Sequence, residues 1–92
     1  MTSQEQSRSE CLGRINRVME YIDTHYNESI NLEIMAAIAH FSPFHFHRIF
    51  STMTGETPGD FFLRIRVEKS AQQLKDHPHK SISDIAFDCG FS

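Results

Sequence analysis

The 92-residue sequence predicts an all-α fold of five helices. Apolar residues recur at helical spacing in five separate stretches, and serine, threonine or asparagine stands at the head of most of them. Nowhere do apolar and polar residues alternate for long enough to make a strand.

Ile15, Val18, Met19, Ile22 and Tyr26 fall at i, i+3, i+4, i+7 and i+11, one stripe of an amphipathic helix running from about Ser9 to Tyr26. The polar residues before it, 1–8, show no periodicity and are expected to form a disordered leader. Asn27-Glu28-Ser29 has turn chemistry, and Asn31 caps a short second helix ending near His40, with Leu32, Met35, Ala36 and Ala39 inward. Ser42-Pro43 opens a third helix to about Thr52, since serine caps an N-terminus and proline at the first helical position loses no hydrogen bond. Gly55 stops that helix. Thr57-Pro58 starts a fourth by the same logic, reaching about Lys75 through Phe61, Phe62, Ile65, Val67, Ala71 and Leu74. His77-Pro78-His79 breaks it, and Ser81 caps a fifth, carrying Ile82, Ile85, Ala86 and Cys89.

A chain of this length has room for one small domain, and 39% hydrophobic content with eight phenylalanines is enough for a core. No apolar run approaches the roughly 18 residues of a membrane span, and the start lacks a signal peptide's hydrophobic stretch, so a cytoplasmic location and no membrane partner are expected. Cys11 and Cys89 stand far apart without CxxC spacing and read as half-buried thiols. The net charge of −3 argues against a nucleic-acid partner when taken whole. Its distribution differs: residues 40–80 hold six basic and four acidic groups, between acidic flanks.

The second and fifth helices repeat one another. A shift of 50 residues lays Asn31 on Ser81, Leu32 on Ile82, Met35 on Ile85, Ala36 on Ala86, Ala39 on Cys89, Phe41 on Phe91 and Ser42 on Ser92. In the first copy a further helix follows the serine, and its counterpart in the second would lie beyond residue 92. The chain is therefore expected to be a piece of a longer protein, and to self-associate through uncovered apolar surface near Phe87 and Phe91.

At 100° per residue, Phe46, Ile49, Phe50 and Met53 cluster on one face of the third helix, while Phe44, His47, Arg48 and Ser51 cluster on the other within about 60° of Phe44. The first set is a core stripe. The second suits a major groove: arginine grips guanine through O6 and N7, serine and histidine reach base edges or phosphates, and an apolar ring lies against a thymine methyl. With the short second helix and the turn His40-Phe41-Ser42, it makes a homeodomain-like helix-turn-helix whose third helix, about 43–52, enters the groove. Periodicity alone leaves a second reading open, in which Phe44 tops the core and Arg48 is an ordinary solvated charge.

The run Phe41-Ser42-Pro43-Phe44-His45-Phe46-His47-Arg48-Ile49-Phe50, then Gly55-Glu56-Thr57-Pro58 with Phe61, Phe62 and Arg66, then Ser81-Ile82-Ser83-Asp84-Ile85-Ala86 with Gly90-Phe91-Ser92, resembles the AraC/XylS family of bacterial transcription regulators. The resemblance implies two helix-turn-helix units joined by a long linker helix: a first unit at 9–54, the linker at 55–76 and a truncated second unit at 77–92. It implies double-stranded DNA as partner, with Phe44, His47 and Arg48 at base-contacting positions; Ser51, on the same face, and Ser42, at the head of the helix, are further candidate DNA-binding residues. His40 stands where the family often has glycine, so a strained turn is expected; Ser70 and Gln73 replace the family's usual alanine and leucine, which implies a weaker linker helix. The wording also resembles members with a gyrase-inhibitor-like ligand-binding domain, so a small-molecule effector would act only through a domain beyond residue 92.

Competing readings have less support. His45 and His47 lie about 200° apart on a helix and cannot share an ion, and His77-x-His79 has no third ligand nearby, so no metal or other cofactor is expected. Phosphate loop, nucleophile elbow and HExxH are all absent, which excludes the commonest enzyme classes. A helical protein-interaction module or oligomerising fragment is the alternative function, but it does not explain Phe44, His47 and Arg48 sharing one face.

Overall fold

The computed structural model describes residues 3–91, and among these there are five helices and no strand: α1 Ser3–Thr24, α2 Leu32–Ala39, α3 Pro43–Thr54, α4 Pro58–Asp76 and α5 Ile82–Asp88. Four of them begin on the expected caps. Asn31 Oδ1 accepts from the Ile34 N–H at 2.9 Å, Ser42 Oγ from His45 at 3.2 Å, Thr57 Oγ1 from Asp60 at 3.1 Å and Ser81 Oγ from Asp84 at 3.1 Å. Each satisfies an amide that the helix itself leaves unpaired.

α1 departs from expectation. It starts at Ser3 rather than Ser9, so residues 3–8, expected as part of a disordered leader, are helical, while residues 1–2 lie outside the described range. Gln4, Glu5, Gln6 and Arg8 favour helix, and neither glycine nor proline interrupts them. Those turns carry no apolar residue to make a stripe, which is why periodicity missed them. At its other end α1 stops at Thr24, leaving Tyr26 in the turn.

α1, α2 and α3 close around Ile15, Val18, Ile22, Met35, Ala36, Ala39, Phe46 and Phe50, and α4 adds Phe61 and Ile65 to the same core. Phe46, Phe50 and Phe61 form a chain with centroids 5.5 Å apart at each step, tilted or edge-on as aromatic quadrupoles prefer. Met53, expected in this core, is 43% exposed, because α1 and α3 leave an open groove between them at that level.

The two repeat copies end on one hydrogen-bond pattern. After α2 the His40 N–H reaches Ala37 O at 3.1 Å and the Phe41 N–H reaches Ala36 O at 2.9 Å; after α5 Gly90 reaches Phe87 O and Phe91 reaches Ala86 O, both at 3.0 Å. This is the Schellman motif, which requires a left-handed residue at its centre. His40 has φ 59° and Gly90 φ 93°. The strain expected at His40 is therefore located, and only the second copy carries the residue that avoids it.

α4 packs against α1 and α3 at one end and α5 at the other. Ser70 donates to Arg66 O at 2.8 Å and Gln73 Nε2 approaches Tyr26 Oη at 3.4 Å, so both polar replacements in the linker find partners. Arg66 Nε donates to Tyr26 O and Nη2 to Glu28 O, each at 2.7 Å, while its guanidinium lies over Phe62 and beside Phe91. Phe91, expected to be uncovered, is half-buried there; Phe87 is 77% exposed. Ser92, expected to cap a following helix, lies outside the described range.

His40→Gly is expected to stabilise the chain by about 1 kcal/mol, by relieving left-handed strain at an exposed site. Gly90→Ala should destabilise it by about 2 kcal/mol, since a Cβ would stand 2.8 Å from Asn27 O and 2.9 Å from the Arg66 guanidinium. Urea unfolding midpoints check both, and equal effects at the two sites would contradict this account.

Candidate nucleic-acid interface

α3 presents its N-terminal half to solvent because Ser42 and Pro43 start it abruptly and because Phe46 and Phe50, its only fully buried residues, lie on the opposite face. Ser42, Phe44, His47 and Arg48 are all exposed. Phe44 is 78% exposed, so the reading in which it tops the core is wrong. A large apolar ring held in water beside an imidazole and a guanidinium gains nothing for stability.

Ser51 does not belong with that set. It is half-buried, and its Oγ is shut off from solvent without a hydrogen-bond partner among the described residues. The helical wheel placed it correctly in angle, but the wheel carries no information on what packs over the last turns of the helix.

The flanks of α3 hold residues that the sequence reading left out. His45 and Thr52, about 100° and 80° from Phe44 on the wheel, are exposed just outside the chosen arc. With Arg48, Ile49 and Met53 they line the groove against α1, whose wall is Ser7, Arg8, Cys11 and Leu12. On the other flank His47 faces a hollow shared with Leu32 of α2 and its cap Asn31, and with Pro58 and Gly59 of α4 and their cap Thr57. His45 and His47 thus point to different sides of the helix, as their spacing requires.

The turn into α3 is braced from α1. Arg14 Nη1 is 3.5 Å from His40 O, and its guanidinium lies 5.0 Å from the centre of the Phe41 ring, which also contacts His45. At the far end Arg64 binds Glu56 through two nitrogens and Glu68 through a third, fixing the turn between α3 and α4. The hydrogen bond from Arg64 holds the Glu56 carboxyl below its ordinary value.

A short helix, a tight turn and a second helix with an exposed, hydrogen-bonding N-terminal face make a helix-turn-helix. The model of the family described as a helix-turn-helix domain matches residues 35–92, more than half of the chain. The chain belongs to the AraC/XylS-type helix-turn-helix family. It is 35% identical over 78 residues, 85% of its length, to the bifunctional transcriptional activator/DNA repair enzyme AdaA of Bacillus subtilis, covering 36% of that protein. Against the transcriptional activator RhaS of an Escherichia coli strain it is 30% identical over 91 residues, 99% of its length and 32% of the relative's. The chain therefore spans about a third of the relatives it matches. It is an AraC/XylS-type DNA-binding domain of the kind found in transcription regulators. Among its described residues no helix is long and apolar enough to cross a membrane.

Ser42→Ala is expected to cost about 1 kcal/mol of stability by removing the α3 cap. Ser51→Ala should be neutral or slightly stabilising, because it removes a buried hydroxyl that has no partner. Thermal melts of the two variants check the pair, and a loss of 1 kcal/mol or more in Ser51→Ala would show that its hydroxyl is bonded.

Proposed function

We propose that the N-terminal half of α3 reads a major-groove segment of bacterial promoter DNA, as one reading head of a transcription activator. The observation that carries this is Phe44, 78% exposed at the entry of α3 and flanked by exposed His47 and Arg48. Each then has a role. Arg48 pairs with a guanine O6/N7 edge, Phe44 lies against a thymine methyl, and His47 donates to a base edge or phosphate. Ser42 holds the first turn in the conformation that aims them, its side chain already engaged by the His45 N–H.

AdaA and RhaS are named as transcriptional activators, which supports activation for the longer protein. The repair enzyme in the name of the Bacillus relative belongs to that protein; here we assign the chain a binding role alone. Its place of work is the nucleoid in the cytoplasm. Effector recognition, in this reading, lies outside the 92 residues. The second unit contributes α5 as the counterpart of α2, joined by the linker α4.

Arg48→Ala is expected to cost about 1–3 kcal/mol of operator affinity and to relax preference at one base position, as loss of a bidentate contact does. Selection from a randomised duplex pool checks this, and an unchanged preference would count against the assignment. The 92-residue chain alone should bind weakly and with strong salt dependence, because one reading head makes few phosphate contacts. Nanomolar, sequence-specific binding at physiological salt would contradict it.

The chain's self-association is a second proposal. Val67, Ala71, Leu74, Ile82 and Ala86 line an apolar groove between α4 and α5, with Ile82 74% exposed. A second copy covering that groove is expected to give dimers at high micromolar concentration. Ile82→Ser should lower the mass seen by sedimentation equilibrium, and a parent chain that stays monomeric would refute it.

A further inference from the structure

The helical extension of α1 creates a surface that no motif records. Its early turns place Arg8 across a groove from α3, and that groove is bounded on the α3 side by His45, Arg48 and Thr52. Arg14, also from α1, sits further along, over Phe41 and within reach of the His45 side of the turn. Arg8, His45 and Arg48 thus form a strip of hydrogen-bond donors along one flank of α3, with Arg14 beyond its end and engaged by His40 O. Glu10 projects about 200° from Arg8 around α1, away from the groove.

We infer that the N-terminal turns of α1 grip the DNA backbone, with Arg8 contacting a phosphodiester beside the groove segment that α3 reads. This rests on the α3 reading proposed above. Its separate basis is continuity: Arg48 belongs to both the exposed face of α3 and the wall of the α1 groove, so a duplex seated on Arg48 brings its adjacent backbone toward Arg8. A phosphate contact carries no base information but sets the register in which Phe44 and Arg48 meet their bases. The donors match the ligand, since arginine presents a planar fork to phosphate oxygens and Thr52 a hydroxyl.

Arg8→Gln keeps helix propensity and removes the charge, so the fold is expected to be unchanged by circular dichroism. The 92-residue chain is titrated onto a labelled duplex by anisotropy at several low salt concentrations. Arg8→Gln should weaken binding by a similar factor on every duplex tested and reduce the slope of log K against log salt by about 1. Arg48→Ala, run beside it, should instead change the ranking of duplexes. An unchanged salt slope in Arg8→Gln overturns the contact, while a changed ranking in Arg48→Ala leaves the α3 reading standing. Absence of any salt-dependent binding by the parent chain overturns both. A drop in self-association with no change in duplex affinity assigns the groove to a second copy and also overturns the proposal.

Discussion

The Arg66 guanidinium joins the middle of α4 to the α1–α2 turn and to the end of α5. The α1–α2 turn exposes two carbonyls, Tyr26 O and Glu28 O, that no helix can satisfy, and Arg66 donates to both at 2.7 Å from the middle of α4. Charge-assisted bonds of this kind are roughly twice as strong as neutral ones, which offsets the desolvation that pulls the Arg66 pKa below its ordinary value. The same group stacks on Phe62 and borders Phe91 and Gly90. One side chain therefore ties α4, the α1–α2 turn and the end of α5 into a single contact, and a lysine could not reproduce it because it lacks the planar fork.

That contact also explains why the two copies of the repeat differ where they do. The left-handed turn is demanded in both by the Schellman bonds, but the surroundings differ. At His40 the side chain points to solvent and α1 contributes only Arg14, which reaches the carbonyl. At Gly90 the space a Cβ would need is already filled by Asn27 O and the Arg66 guanidinium. Conformation would prefer glycine at both positions; only packing requires it, and packing applies to one.

Local chemistry was legible in the sequence, and tertiary occupancy was not. The caps at Asn31, Ser42, Thr57 and Ser81 are short-range hydrogen bonds and stood where the residue types placed them. The repeat anticipated the paired turns, because identical backbone bonds need similar apolar spacing. Met53, Ser51 and Phe91 came out differently. Met53 and Ser51 lie on α3 and Phe91 follows α5, and for each exposure depends on the neighbour at that level: an open groove at Met53, an enclosed hydroxyl at Ser51, Arg66 beside Phe91. The start of α1 failed for another reason, since residues 3–8 hold no apolar side chain to leave a periodic trace.

Charge shows the same limit most clearly. Summed along the chain, residues 40–80 carry the positive excess, which permits contact with DNA by the middle segment without predicting it. In the fold much of that excess is spoken for: Arg64 holds Glu56 and Glu68, Lys69 holds Asp23, Lys80 holds Asp88, and Arg66 is turned inward. Of the basic groups in that stretch, Arg48 stands exposed on α3, and the groups beside its flank come from the acidic first third, as Arg8 and Arg14. Ion pairs neutralise at a few ångströms, and salt screens charges beyond about 8–10 Å, so a phosphate near α3 responds to that local set more than to a net charge of −3. Net charge is thus a poor guide to local charge here, because Glu56, Glu68, Asp23 and Asp88 are paired on other elements while Arg8 and Arg14 come from distant sequence to the flanks of α3.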